Sequence, residues 1–192
     1  MAKLATFGRL LFALLVATAV TRIEAEVDNT DYDFREFLQQ SKVIWVRDTS
    51  EPGTVTCRRD TISKINERSV SFERQFKNNS QTFQVSLKGK LFNWQHWEDE
   101  TRTPYDSMAV SNNEDVPQTD EILEVLDTRN NCAVVKVIVF GLTAEGLTTV
   151  WRELRVSQDA LTVSPSEKCL NYFNAVVGEK SRPSYSPSCQ AH

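Results

Sequence analysis

Along most of this chain, apolar and polar residues alternate in short runs that turn residues interrupt. Between Ser69 and Phe76, the residues Val70, Phe72 and Phe76 fall on one side and Ser69, Ser71, Glu73 and Gln75 on the other. Phe83, Val85 and Leu87 alternate likewise up to Lys88-Gly89-Lys90, and an aromatic run from Leu91 to Trp97 resumes beyond it. Further runs are Val43 to Asp48, stopped by Glu51-Pro52-Gly53, then Thr54 to Ile62, Ser107 to Ser111, Glu121 to Asp127, Ala133 to Phe140 and Leu147 to Val156. Asn78-Asn79, Asn112 to Gln118, Thr128 to Asn131 and Gly141 to Gly146 divide them. A period of two bounded by turn residues is the signature of strands and hairpins. Two stretches follow another rhythm. Phe34, Phe37 and Leu38 have helical spacing within Asp31 to Gln40, and Cys169, Leu170, Phe173 and Val176/Val177 repeat it behind Pro165. Gly178 is placed to end that second helix.

The pattern therefore predicts about eight hairpin-linked strands with a helix at each end. Closing such a sheet into an up-and-down barrel removes its sticky edges, and about eight strands leave room inside for one small ligand. A sandwich satisfies the pattern alone equally well.

The first 25 residues stand apart from the fold. Lys3 and Arg9, the apolar run Leu10 to Val16 and the small residues after it have the layout of a secretory signal peptide. Ala19 and Ala25 are the two candidate cleavage points, and Ala25 is preferred because the polar sequence starts at Glu26. A membrane anchor is the competing reading, but the run is far shorter than the about 20 residues a spanning helix needs. The expected organisation is a signal peptide over 1–25 and one domain over 26–192, secreted and extracellular. Removing Lys3, Arg9, Arg22 and Glu24 takes the formal charge from −4 to −6. An acidic surface argues against nucleic acid as a partner.

The mature chain keeps all four cysteines, Cys57, Cys132, Cys169 and Cys189, which behind a signal peptide read as two disulfides in one of three pairings. No C-x-x-C spacing supports zinc, and no cofactor is expected. Asn78-Asn79-Ser80 is a glycosylation sequon, which places Asn78 at the surface. No nucleophile motif, phosphate loop or paired metal histidines point to catalysis.

Several segments together resemble the tick salivary lipocalins, the family that includes the histamine-binding proteins. They are Asn131-Cys132-Ala133-Val134-Val135-Lys136-Val137, Trp151 to Ser157, Glu167-Lys168-Cys169-Leu170 with Phe173, and Tyr185-Ser186-Pro187-Ser188-Cys189. Ile44-Trp45-Val46, Cys57-Arg58-Arg59-Asp60 and the Phe72/Phe76 strand add to them. The resemblance implies an all-β, eight-stranded antiparallel lipocalin barrel with a short N-terminal helix and a C-terminal helix packed outside. It also implies the pairs Cys132–Cys169 and Cys57–Cys189. It further implies a salivary protein that sequesters a small host mediator, an amine such as histamine or serotonin or an eicosanoid-like lipid, to blunt inflammation or haemostasis. In the amine-binding members the signature resembles Cys-Asp-aliphatic followed by Glu-Leu-aromatic. Here Cys132 precedes Ala133, and Glu153-Leu154 precedes Arg155.

Against that frame, Trp45 on the first strand is expected to wall or floor the cavity. Phe92, Trp94 and His96 are expected on one strand face and Trp97 on the other, beside Glu98, Asp99 and Glu100, as a cage for a cation. Tyr105 is a candidate for the mouth. Glu73, and Trp151 with Glu153, are candidate inward groups, with Arg74, Lys136 and Arg152 as inward cations. A slip of one residue reverses every such assignment. A second functional reading keeps the barrel as a frame that binds a host protein through Trp94 to Pro104 and Asn112 to Thr119. In either reading the chain is expected to act as a monomer without an enzyme activity.

Overall fold

The computed structural model describes residues 32–139 and 148–190. The proposed signal peptide and the turn at 141–146 lie outside the described residues.

Helix α1 (Phe34–Gln39) opens the fold, with the Asp33 carboxylate accepting from the Arg35 N–H as its N-cap. Eight strands follow: β1 (Val43–Thr49), β2 (Thr56–Ile65), β3 (Ser69–Asn78), β4 (Gln81–Phe92), β5 (Ser107–Asn112), β6 (Pro117–Asp127), β7 (Cys132–Val139) and β8 (Thr149–Ser157). Each pairs antiparallel with the next, and β1 pairs with both β2 and β8, so the sheet closes into a barrel. Helix α2 (Glu167–Val177) then packs against β6, β7 and β8 from outside. Ser166 caps it by accepting from the Cys169 N–H, and Gly178 ends it at φ 58°. A two-residue strand, β9 (Arg182–Pro183), lies along β1.

Cys132–Cys169 ties α2 to β7, and Cys57–Cys189 ties the tail to β2. Both pairs are those the resemblance implies. No helix among the described residues is long and apolar enough to cross a membrane.

One strand differs from the alternation reading. Lys88-Gly89-Lys90 is not a turn, because β4 runs straight through it from Gln81 to Phe92. Gly89 faces the interior, where an added Cβ would sit 2.3 Å from Met108 Sδ and 2.7 Å from Val70. The glycine makes room for a neighbouring side chain instead of bending the backbone. Of the aromatic run beyond it, only Leu91 and Phe92 belong to β4. At Asn93 the side-chain Oδ1 accepts from the N–H groups of Gln95 and His96, turning the chain away after Phe92.

The barrel has two cores. Inside, Ile44, Ile62, Val70, Phe72, Leu91, Met108, Leu123 and Ala133 pack with Phe34, Phe37 and Leu38, so α1 plugs one end. Outside, Trp45, Val125, Val134, Leu154 and Val156 pack beneath Phe173 and Val177 of α2.

Candidate ligand site

Side chains that share the inner face follow from register. Arg74 pairs with Val85, and Phe76 with Phe83, so these four lie on the face of the buried Phe72. On β8, Trp151, Glu153 and Arg155 oppose Val137, Val135 and Ala133 on that same face. The interior thus has three levels. Apolar residues fill the end plugged by α1. A charged level crosses the middle. Towards the open end the inner faces of β3 and β4 become apolar again: Phe76 and Phe83 stack with ring centres 5.4 Å apart and Val85 shares their face. Phe83 is 41% exposed and Val85 40%, unusual for inward positions.

The charged level consists of Arg58 and Asp60 from β2, Arg74 from β3, Glu121 from β6, and Glu153 and Arg155 from β8. Arg74 grips Asp60 with two bonds of 2.7 Å and reaches Glu121 at 2.9 Å. Arg155 bridges Glu121 at 2.6 Å and Glu153 at 2.8 Å. Glu153 also accepts from Arg58 and from the Trp151 indole N–H at 3.0 Å. Three guanidinium groups therefore balance three carboxylates, each carboxylate held by at least one arginine. Burial alone would push the Glu153 carboxyl up, but Arg155, Arg58 and Arg74 outweigh it and hold the group far below its ordinary range. Glu121 follows the same logic: burial raises it, and Arg155 and Arg74 bring it below its usual value. Nearest the open end by strand position, Arg58 also binds Glu51 at 2.7 Å, while its buried Nε–H has no partner among the described residues.

The predicted site residues separate into distinct places. Trp151, Glu153 and Arg74 lie inside. Glu73 does not: it alternates with Phe72 and Arg74, faces outward and sits between Thr61 and Ser86. Lys136 and Arg152 oppose each other on the outer face, where Arg152 binds Glu124 at 2.7 Å. Trp45 likewise lies outside the lumen. Its ring meets Tyr185 edge-on at 5.2 Å and its indole donates to Gln158, because the tail and α2 cover this part of the outer wall. Tyr105 is buried at the closed end, its carbonyl accepting from the Phe34 N–H at 2.8 Å, and so lies far from the mouth. Glu98 stands exposed in the turn after β4, 3.9 Å from His96. Phe92, Trp94 and Trp97 do come together, but in a groove on the outer face. Asn78 ends β3 at the β3–β4 turn, with its Oδ1 accepting from the Thr54 hydroxyl at 2.9 Å.

Asp60, Glu121 and Arg58 escaped the alternation reading. A charge on an otherwise apolar face looks like a break in the pattern. Here the breaks on β2, β3, β6 and β8 fall at one height and neutralise each other. Among the described residues no cluster of His, Cys, Asp or Glu is arranged to hold a metal ion.

No protein-family model matches the sequence. No curated protein matches it by sequence either. The backbone does have counterparts. A structure of AM182 in complex with serotonin is 18% identical and covers 83% of this chain and 93% of its own, with a TM-score of 0.57. Lobster apocrustacyanin A1 is 8% identical over 79% of this chain and 81% of its own, at 0.54. The siderocalin Ex-FABP is 10% identical over 78% and 93%, at 0.52. The fold is that of the lipocalins. The lipocalin barrel supplies an open end, a closed end and an interior between them. Its contents here are this chain's own: a neutralised charged floor beneath an exposed apolar rim.

Proposed function

We propose that the protein is a secreted lipocalin that sequesters a small amphipathic mediator at the open end of its barrel, an eicosanoid or fatty-acid-like lipid in preference to a biogenic amine. The observation that carries this reading is the contrast between rim and floor. Phe76, Phe83 and Val85 offer an exposed apolar inner wall, and every carboxylate below them is already held by arginine. An ammonium ligand needs a carboxylate to itself, and here it would have to displace a guanidinium from a buried ion pair. An acyl chain needs only the rim, and an acidic head group would find the unpartnered Arg58 Nε–H below it. AM182 was solved with serotonin, but at 18% identity its ligand does not carry over to this interior.

Two disulfides and the leader-like segment support secretion. Binding without turnover fits saliva, the setting implied by the resemblance, where removing a mediator stoichiometrically blunts inflammation or haemostasis.

The test is native mass spectrometry of the oxidised mature protein with leukotriene-type lipids, arachidonic acid, histamine and serotonin, each alone and in competition. The expected result is a one-to-one lipid complex that neither amine displaces. An amine that displaces the lipid from the barrel overturns the assignment.

A further inference from the structure

On the outer face of β4, β5 and β6, a groove of about 800 Å³ is lined by Lys90, Phe92, Trp94, Trp97, Ala109 and Asp120, with Gln95 and Glu100 at its edge. Its floor follows from register. Lys90 opposes Ala109 and Ala109 opposes Asp120, so a methyl group separates two charged side chains across three strands. Its wall follows from the turn at Asn93, which folds the chain back so that Trp94 and Trp97 stand over the sheet beside Phe92. Phe92 and Trp94 lie 6.1 Å apart at their ring centres. Trp97 is 73% exposed and Trp94 37%, so both side chains are open to solvent.

The charges in the groove are not equivalent. Lys90 is bound to Glu100 at 2.6 Å, and Glu100 also binds Arg68 at 3.1 Å. These three are satisfied. Asp120 is half-buried and, among the described residues, has neither a hydrogen-bond nor an ion-pair partner. Lys136, two positions from Ile138 along β7 on the same outer face, forms no ion pair with it. Burial and the neighbouring Glu121 both push the Asp120 carboxyl above its ordinary value. An unpaired, partly desolvated carboxylate costs stability, and no cation among the described residues offsets it.

We infer that this groove is a second binding site, outside the barrel, for a small organic ammonium ion, with Asp120 as its counter-charge and Phe92, Trp94 and Trp97 as its aromatic wall. Ring faces and an opposing carboxylate are the two elements that recognise an alkylammonium group, and the groove has the volume of a small-molecule site. The inference does not depend on the lipid reading, because the groove shares no lining residue with the barrel mouth.

The probe is choline, compared with its neutral isostere 3,3-dimethylbutan-1-ol, titrated into the full mature chain. The four tryptophan indole N–H signals report where it binds. Choline is expected to shift the signals of Trp94 and Trp97 saturably and to leave Trp45 and Trp151 unmoved, while the isostere shifts none. Asp120→Asn is expected to weaken choline about tenfold, the scale of a lost charge contact. Its melting temperature should be unchanged or raised, since the variant removes an uncompensated carboxylate. Trp97→Ala, at an exposed position, should weaken choline without touching the fold. Neither variant should alter lipid binding at the mouth, so failure of this site and failure of the lipid reading are told apart. Equal shifts from choline and the isostere, no saturable shift, or unchanged choline affinity in Asp120→Asn overturns the inference.

Discussion

At Glu153 a single carboxylate accepts from Arg58, Arg155 and the Trp151 indole, fully buried. Removing its charge takes from Arg58 and Arg155 the buried carboxylate they share and leaves each with one acidic partner, Glu51 and Glu121 respectively. Glu153→Gln is therefore expected to cost about 3–5 kcal/mol, read as a shift of the urea midpoint. The same residue sets an acid limit. Its pKa is depressed in the fold, as is that of Glu121, so their stabilising contribution is complete above the unfolded value and is lost as pH falls below it. The urea midpoint should be flat from about pH 5 to 7 and should fall steadily below about pH 4.3, the ordinary glutamate value. A midpoint that rises on acidification would contradict the charged level as described. Alternation along the chain makes Trp151, Glu153 and Arg74 readable as one inward set. It does not tell that set from its neighbours: Glu73 is adjacent to Arg74, and only the register with Thr61 and Ser86 puts it outside.

At the scale of elements, the ambiguity has a specific cause. Helix α2 and the tail bury the outer wall, so β1 and β7 are apolar on both faces, with Ile44 and Val135 inside and Trp45 and Val134 outside, while β8 buries Leu154 outside and charged Glu153 and Arg155 inside. Two-sided burial erases the contrast by which a half-exposed strand shows its core face. Both helices and most strands were legible, because their caps and turns are local. The stretch from Leu91 to Trp97 was not. Its aromatic spacing suits a strand, but the Asn93 side chain accepts from the Gln95 and His96 N–H groups and ends β4. The Cys132–Cys169 bridge spans 37 residues of sequence. Replacing both with serine is expected to cost about 4 kcal/mol in the chain-entropy model, measured by thermal melting. Hydrogen exchange should rise first in α2 and its underlying strands, with α1 and the interior of β3 and β4 protected. Uniform loss of protection would show that α2 is not a separately docked element.

For the whole molecule, the barrel interior divides the labour between its two ends. The end closed by α1 is packed for stability. The charged level is neutral in sum and stiff, and it forms a floor. The rim above it is apolar and exposed, which is costly for a soluble protein unless something covers it. Calorimetric titration of arachidonic acid into the wild-type protein and into Phe83→Asp addresses this directly. Phe83 is partly exposed and makes its main ring contact with Phe76, so the variant is expected to fold. The account predicts saturable one-to-one binding to the wild type and at least tenfold weaker binding to Phe83→Asp, from loss of apolar contact and repulsion of the acid. No binding to the wild type, or equal binding to both proteins, would contradict the claim that the open end of this barrel is the ligand site.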